Sequence, residues 1–374
     1  MYFKDVIGQE SIKRRLIETA QRNVIPHAQL FYEQGGAGAF PLALAYARYL
    51  NCKDRSATDA CGHCPSCLKY NELAHPDLHF VFPMVKNDKK KKESCDDYLP
   101  EWRSMLKKQT YFNLSHWIEC IEVGNSQAII YSKESEEIMR KLNRRIYEAD
   151  YRILLVWLPE KLHPDCANKL LKIIEEPPAN TVILMVSEAP DLVLGTIQSR
   201  AQRLNIRAIQ TEDIVNVLVR QEGLEPEPAA HVARLSGGSY IKALEIISVN
   251  EENAFFLECF KGIMRNSWAR NVKAMKAAAD QLAGIGRERQ KNFLAYCQYL
   301  IRENFMYRFQ SPELNYMNNT EAGFALKFST YVNERNVFEL VDTLTKAEQH
   351  ISQNVNAKMV FFDLSLRITV LIRR

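Results

Sequence analysis

No stretch of this 374-residue chain approaches the roughly 18 uninterrupted apolar residues of a membrane-spanning helix, which argues against such a span. The opening Met1-Tyr2-Phe3-Lys4-Asp5-Val6 has no basic region running into an apolar one, so no signal peptide is expected. An excess of one charge is also missing. The 49 basic residues offset 45 acidic ones, leaving a formal net charge of +4. Bulk charge therefore does not imply nucleic-acid binding, although a local patch is compatible with it. No internal repeat is evident, which excludes a solenoid. What is present is ordinary for a globular protein: 47% apolar and 25% charged residues. The length suits two or three domains, and the expectation is a soluble, cytoplasmic protein.

Along the chain, Ser11 to Asn23 reads as a polar-faced helix and Ala28 to Tyr32 as a short strand. A Gly-rich turn follows, and then Phe40, Ala43, Leu44, Ala47 and Leu50 recur at helical spacing. Leu78 to Phe82 resembles a strand stopped by Pro83. Lys86 to Asp97, with Lys89 to Lys92 at its centre, reads as a mobile, solvated loop because like charges repel. A DNA-contacting patch is the other reading. A helix is expected over Ser132 to Tyr147. Ile153 to Trp157 and Val182 to Val186 are continuous apolar runs, as in strands covered on both faces of a parallel sheet. Between them Asp165 to Glu176 carries Ala167, Leu170, Leu171 and Ile174 on one helical face. The alternation predicts an α/β domain built of βαβ units. From Thr211 onward the strand signals fade. The expected organisation is an α/β domain over 1–207, a small helical lid over 208–249 in which Ile241 to Ile247 begins a third helix, and an all-α domain over 250–374. The aromatic-rich Phe305 to Phe309 suits either core or an inter-subunit surface.

The nine cysteines are an odd number, and in a reducing compartment they are not expected to form disulfides. Four cluster: Cys52, then Cys61, Cys64 and Cys67. Two C-x-x-C steps sharing Cys64 put three ligands on one tight turn, and Cys52 supplies a fourth by closing an eight-residue loop. Four thiolates suit a closed, structural zinc site with no open position for water. His63, inside the turn, is expected to point away.

The segment from Glu33 to Phe40 lies where a phosphate-binding loop of the G-x-x-x-x-G-K-[ST] pattern would sit, between a strand and a helix. Glu33 replaces the first glycine, Gly38 is the last, and Ala39 and Phe40 replace the lysine and the hydroxyl residue. A carboxylate at the mouth would repel a triphosphate. The strand that ends in two metal- and water-handling acids in P-loop ATPases ends here in Trp157-Leu158, and Glu160 falls two positions late. Two parts of one machine are absent together, which predicts no hydrolysis and no bound ATP.

Ala167-Asn168-Lys169-Leu170-Leu171-Lys172 followed by Glu175-Glu176-Pro177-Pro178 resembles the A-N-x-L-L-K-x-x-E-E-P-P signature of bacterial AAA+ clamp-loader subunits. Thr196 to Arg200 is similar to their T-I-x-S-R-C segment, with Ala201 in place of the cysteine. Phe3 to Gln9 resembles their F-x-x-x-x-G-Q opening, His27-Ala28 fits before the first strand, and the cysteine insertion is similar to their zinc module. The resemblance runs from residue 3 to about 201. Its motor members keep the loop lysine and the acidic pair, so the departures point to the delta-prime type.

This resemblance implies a scaffold subunit of DNA polymerase III without intrinsic ATPase, although part of a polymerase holoenzyme. Motor (gamma/tau-type) and delta-type subunits, a sliding clamp and primer-template DNA are the implied partners. Arg200, with Ser199 beside it, would serve as an arginine finger for a neighbouring subunit's ATP. Ser187 would occupy a vestigial polar sensor position, and Ile241 stands where motors place a second sensing arginine. The rival expectations are an active gamma/tau-type ATPase and a zinc-containing DNA-binding protein.

Overall fold

The computed structural model describes residues 1–87, 92–122, 127–308 and 319–373. The chain divides into two compact units, Met1–Ile246 and Ile247–Arg374. The first is built on five strands: β1 Ala28–Tyr32, β2 Leu78–Val81, β3 Arg152–Trp157, β4 Thr181–Ser187 and β5 Gln202–Asn205. They pair in the order β2-β3-β4-β1-β5, every pairing parallel. The strands β3 and β4 are buried at every residue. That explains their unbroken apolar runs, since both faces of the sheet are covered. In contrast, β5 exposes three of its four residues, and its sequence Gln-Arg-Leu-Asn carries no strand pattern. Pairing to β1 alone makes it a strand.

The helices of this unit are α1 Glu10–Gln21, α2 Ala39–Asn51, α3 Pro65–Asn71, α4 Leu99–Lys108, α5 Leu114–Ile121, α6 Glu134–Leu142, α7 Pro164–Glu175, α8 Gly195–Gln198, α9 Thr211–Gln221 and α10 Pro226–Ser236. The helix expected over Ser132 to Tyr147 is only α6. Beyond it the chain leaves the helix in turns and bends, and Tyr147 and Glu148 donate their backbone N–H groups to the Asp77 carboxylate. The parallel sheet flanked by these helices is the α/β arrangement expected from the sequence.

Among the described residues of 83–130, α4, α5 and the turn between them carry a packed aromatic layer. Trp102 of α4 and Trp117 of α5 are fully buried, their rings 5.0 Å apart and nearly perpendicular. Phe82 stacks on Trp102 at 4.1 Å. The solvated loop expected over Lys86 to Asp97 needs correction where it is described. Cys95 and Tyr98 are buried, and Lys92 pairs with Glu101. Lys89, Lys90 and Lys91 lie outside the described residues.

α11, Tyr240–Trp268, begins where a third helix was expected, at Ile241 to Ile247, and runs on as a single 29-residue helix past the expected boundary at 249. Nothing at residues 248–254 breaks it, because this stretch holds neither Gly nor Pro. The second unit contains the rest of α11 with α12 Val272–Ala283, α13 Arg287–Tyr307, α14 Asn319–Phe328, α15 Val337–Ser352 and α16 Ala357–Leu371. α13 packs on α15 and α12 on α16 around a core that includes Phe256, Phe260, Phe293, Leu300, Leu344 and Phe361. This is the expected all-α region. Phe305 packs partly against its core, and Phe309 lies outside the described residues. No helix among the described residues is long and apolar enough to cross a membrane.

Candidate functional site

Parallel pairing brings the carboxyl ends of β1, β3 and β4 together, with Tyr32 opposite Ser187 and Trp157 opposite Val186. In open α/β sheets this edge is where ligands sit. The loop leaving β1 and the start of α2 hold the residues of the degenerate phosphate-binding pattern. Glu33 is not at the rim as expected. It is only 7% exposed and turned inward. Its Oε1 accepts the Gly36 N–H at 3.1 Å and its Oε2 the Ala39 N–H at 2.8 Å. The amides that would cradle a phosphate at a helix N-terminus are thus held by the chain's own carboxylate. Burial raises the Glu33 pKa, and the N–H groups of Ala39, Gly36, Ala37 and Gly38 act against that rise.

Behind the loop the pocket is filled. Phe40 is buried and meets Phe112 at 5.0 Å and Trp102 at 5.8 Å. Trp157, 1% exposed, lies 4.8 Å from Phe112 and 5.4 Å from Trp102. Leu158 is buried too, in the left-handed backbone region. Tyr111 crosses the loop. Its hydroxyl accepts the Ile7 N–H at 2.8 Å, and a Cβ added at Gly38 would stand 3.1 Å from that oxygen. With φ +99°, Gly38 is a position that only glycine fills without strain.

At the start of α11 Tyr240 donates its N–H to the Gly36 carbonyl, and its ring meets Tyr111 edge-on at 5.1 Å. Ile241 is buried, and a Cβ at Gly36 would come within 3.2 Å of it. The sequence left Tyr111 and Phe112 unassigned. No motif marks them, and only the fold carries them to the loop.

Three carboxylates converge here. Glu160 Oε1 accepts the N–H groups of Glu188 and Ala189 at 3.1 and 3.2 Å, and Ser187, fully buried, accepts the Ala189 N–H. Burial raises the pKa of Glu160. Glu188 is pushed up to about 7 by burial and then by the charges of Glu33 and Glu160. The sequence reading missed Glu188, and nothing in its neighbours flags it.

The Sγ atoms of Cys52, Cys61, Cys64 and Cys67 lie within 4.8 Å of one another. Cys61 and Cys67 are 3.9 Å apart, close to the ~3.8 Å that tetrahedral Zn–S bonds of about 2.3 Å imply. Backbone N–H groups of Cys61, Cys64 and Cys67 point at the sulfurs of Cys52, Cys61 and Cys64 at 3.2 to 3.4 Å, which suits thiolates. The donor set fits a metal ion. His63 is exposed and faces Asp54 at 3.3 Å. The module also fastens the N-terminal segment: Asp59, between its cysteines, accepts the N–H groups of Phe3 and Lys4.

Arg200 lies away from this pocket, just past α8. Its Nε contacts Glu175 Oε1 at 2.6 Å, both side chains being close to half exposed. Its Nη1 donates to the Thr196 carbonyl at 3.1 Å and to Ser199 Oγ at 3.4 Å. Ser199 is itself exposed, while Ala201 is buried.

The family described as DNA polymerase III, delta subunit, matches residues 8–210, more than half of the chain. Among named relatives, the DNA polymerase III subunit delta' of Bacillus subtilis is 22% identical over 247 residues, 66% of this chain and 60% of that protein. The Escherichia coli subunit delta' is 25% identical over 62% of this chain and 58% of its own length. The gamma/tau subunit of Mycobacterium bovis is 26% identical over 66% of this chain and 36% of itself. The chain thus spans less than two thirds of the length of these relatives.

Proposed function

The chain belongs to the family described as DNA polymerase III, delta subunit, and from that premise we propose that it is a delta-prime-type, non-hydrolysing subunit of the sliding-clamp loader. The observation that carries this reading is the Glu33 carboxylate seated on the amides of its own phosphate-binding loop. A triphosphate would have to displace a buried acid, and it would meet Phe40 and Trp157 where lysine, hydroxyl and metal-binding acid belong. Glu160 and Glu188 add like charge beside it.

In this reading the subunit contributes Arg200 in trans. A guanidinium is permanently charged and planar, and it stabilises the charge spread over a transferring phosphoryl group, an effect worth about 10³ to 10⁵ in rate where such fingers act. The exposed position of Arg200 supports this. Gamma/tau-type motors, delta-type subunits, clamp and primer-template DNA are the proposed partners. The all-α unit would join them. On α16, Met359, Leu366 and Val370 are exposed at spacings of seven and four, with Phe338 of α15 79% exposed, an apolar stripe suited to helix packing. The four cysteines would hold one structural zinc.

Titration calorimetry of the purified chain with Mg-ATP tests the first claim. No binding is expected at millimolar nucleotide. Micromolar affinity with turnover would replace this reading with that of an active motor. Metal analysis should find one zinc per chain.

A further inference from the structure

We propose that Glu175 is a positioning residue for Arg200, holding the guanidinium by its inner edge so that its outer edge faces a neighbouring subunit; this rests on the trans role of Arg200 proposed above. Glu175 takes Nε, and the Thr196 carbonyl with the Ser199 hydroxyl takes Nη1. Among the described residues no hydrogen bond to Nη2 is found, and the side chain is 41% exposed. The fork is therefore anchored on one side and open on the other.

The placement of Glu175 has no local rationale. It is the last residue of α7, where a carboxylate lies against the negative end of the helix dipole. A cation beside it removes that penalty, and Arg200 is the cation supplied. Arg200 in turn stands just past the end of α8, donating to a carbonyl of its last turn. The pair therefore joins two helix C-termini, and it links the Glu-Glu-Pro-Pro block to the Ser-Arg dipeptide through a contact that neither segment reveals alone. An arginine side chain with its rotamers fixed beforehand loses less freedom when it meets a phosphate.

The test is a clamp loader reconstituted from this 374-residue chain and motor subunits, with ATP turnover measured for wild type, Glu175→Gln, Glu175→Asp, Arg200→Ala and the double variant Glu175→Gln/Arg200→Ala. Glu175→Gln should lower kcat about two- to five-fold, the factor an exposed ion pair supplies. KM for ATP should stay unchanged, because the motor's own loop binds the nucleotide. Glu175→Asp should recover part of the loss. In the Arg200→Ala background Glu175→Gln should add nothing. If Arg200→Ala is defective but Glu175→Gln matches wild type, or still lowers kcat without Arg200, the positioning role is overturned while the trans arginine stands. If Arg200→Ala turns over normally in an intact complex, the trans reading itself falls, and this inference with it.

Discussion

At the scale of single residues, the substitutions in the phosphate-binding pattern were plain in the sequence, but the direction of Glu33 was not. Once phosphate is no longer bound, the first amides of α2 need another acceptor, since buried N–H groups are almost always paired. A carboxylate a few residues upstream is within reach. The same neighbourhood leaves Glu188 with raised proton affinity, from the ordinary 4.5 to about 7. The sign follows directly. An acid whose folded pKa exceeds its unfolded one binds more protons when folded, so stability falls as pH rises from about 4.5 through about 7. A shift of that size corresponds to roughly 3 kcal/mol. Glu188→Gln should therefore stabilise the protein at pH 8 by about 1 to 3 kcal/mol and flatten the loss of stability between pH 5 and 7. Urea denaturation at a series of pH values measures both. An unchanged slope would mean that Glu188 ionises as freely folded as unfolded.

At the scale of elements, strands β1 to β4 were legible to within a residue or two, most plainly β3 and β4, where burial on both faces writes itself as a continuous apolar run. Two features were not. β5 carries no pattern of its own, and α11 runs on because no residue stops it. The larger surprise is the aromatic layer among the described residues of 83–130, where the sequence suggested only a solvated loop over Lys86 to Asp97. Its aromatic residues are spread from Tyr98 to Trp117 and no motif marks them as one cluster, yet α4 and the turn after it bring Trp102 and Phe112 against Phe40 and Trp157. The layer supplies the packing that a nucleotide would otherwise provide. Tyr111→Phe keeps the ring and leaves the buried Ile7 N–H without its acceptor, which should lower stability by about 1 to 3 kcal/mol. Trp102→Ala, which removes the hub of the cluster, should cost about 3 to 5 kcal/mol. Denaturant titration followed by tryptophan fluorescence ranks the two. Equal, negligible effects would show that the layer is only draped over the pocket.

At the scale of the whole molecule, each unit carries its own core, and the cysteine cluster belongs wholly to Met1–Ile246. If the cysteines hold the zinc proposed above, the metal site, the sheet and the aromatic layer should therefore respond together to its loss. Without the ion, four sulfurs at close quarters lose their common partner. The turn over Cys61 to Cys67 then loosens, and with it Asp59 lets go of the N-terminal backbone. Structural zinc in isolated finger peptides contributes about 10 to 16 kcal/mol of folding energy. Here a surrounding domain shares the task, so destabilisation by several kcal/mol is expected rather than complete unfolding. The tryptophans separate the units spectroscopically. Trp102, Trp117 and Trp157 are buried in the first, whereas the second holds only Trp268, 43% exposed. On adding a strong chelator, the melting transition seen by tryptophan fluorescence should move to lower temperature. Far-UV circular dichroism, which also reports the all-α unit, should keep a second transition near its original midpoint. A single transition that shifts as one would show that the two cores unfold together. No shift by either probe would leave the cysteines as unligated thiols.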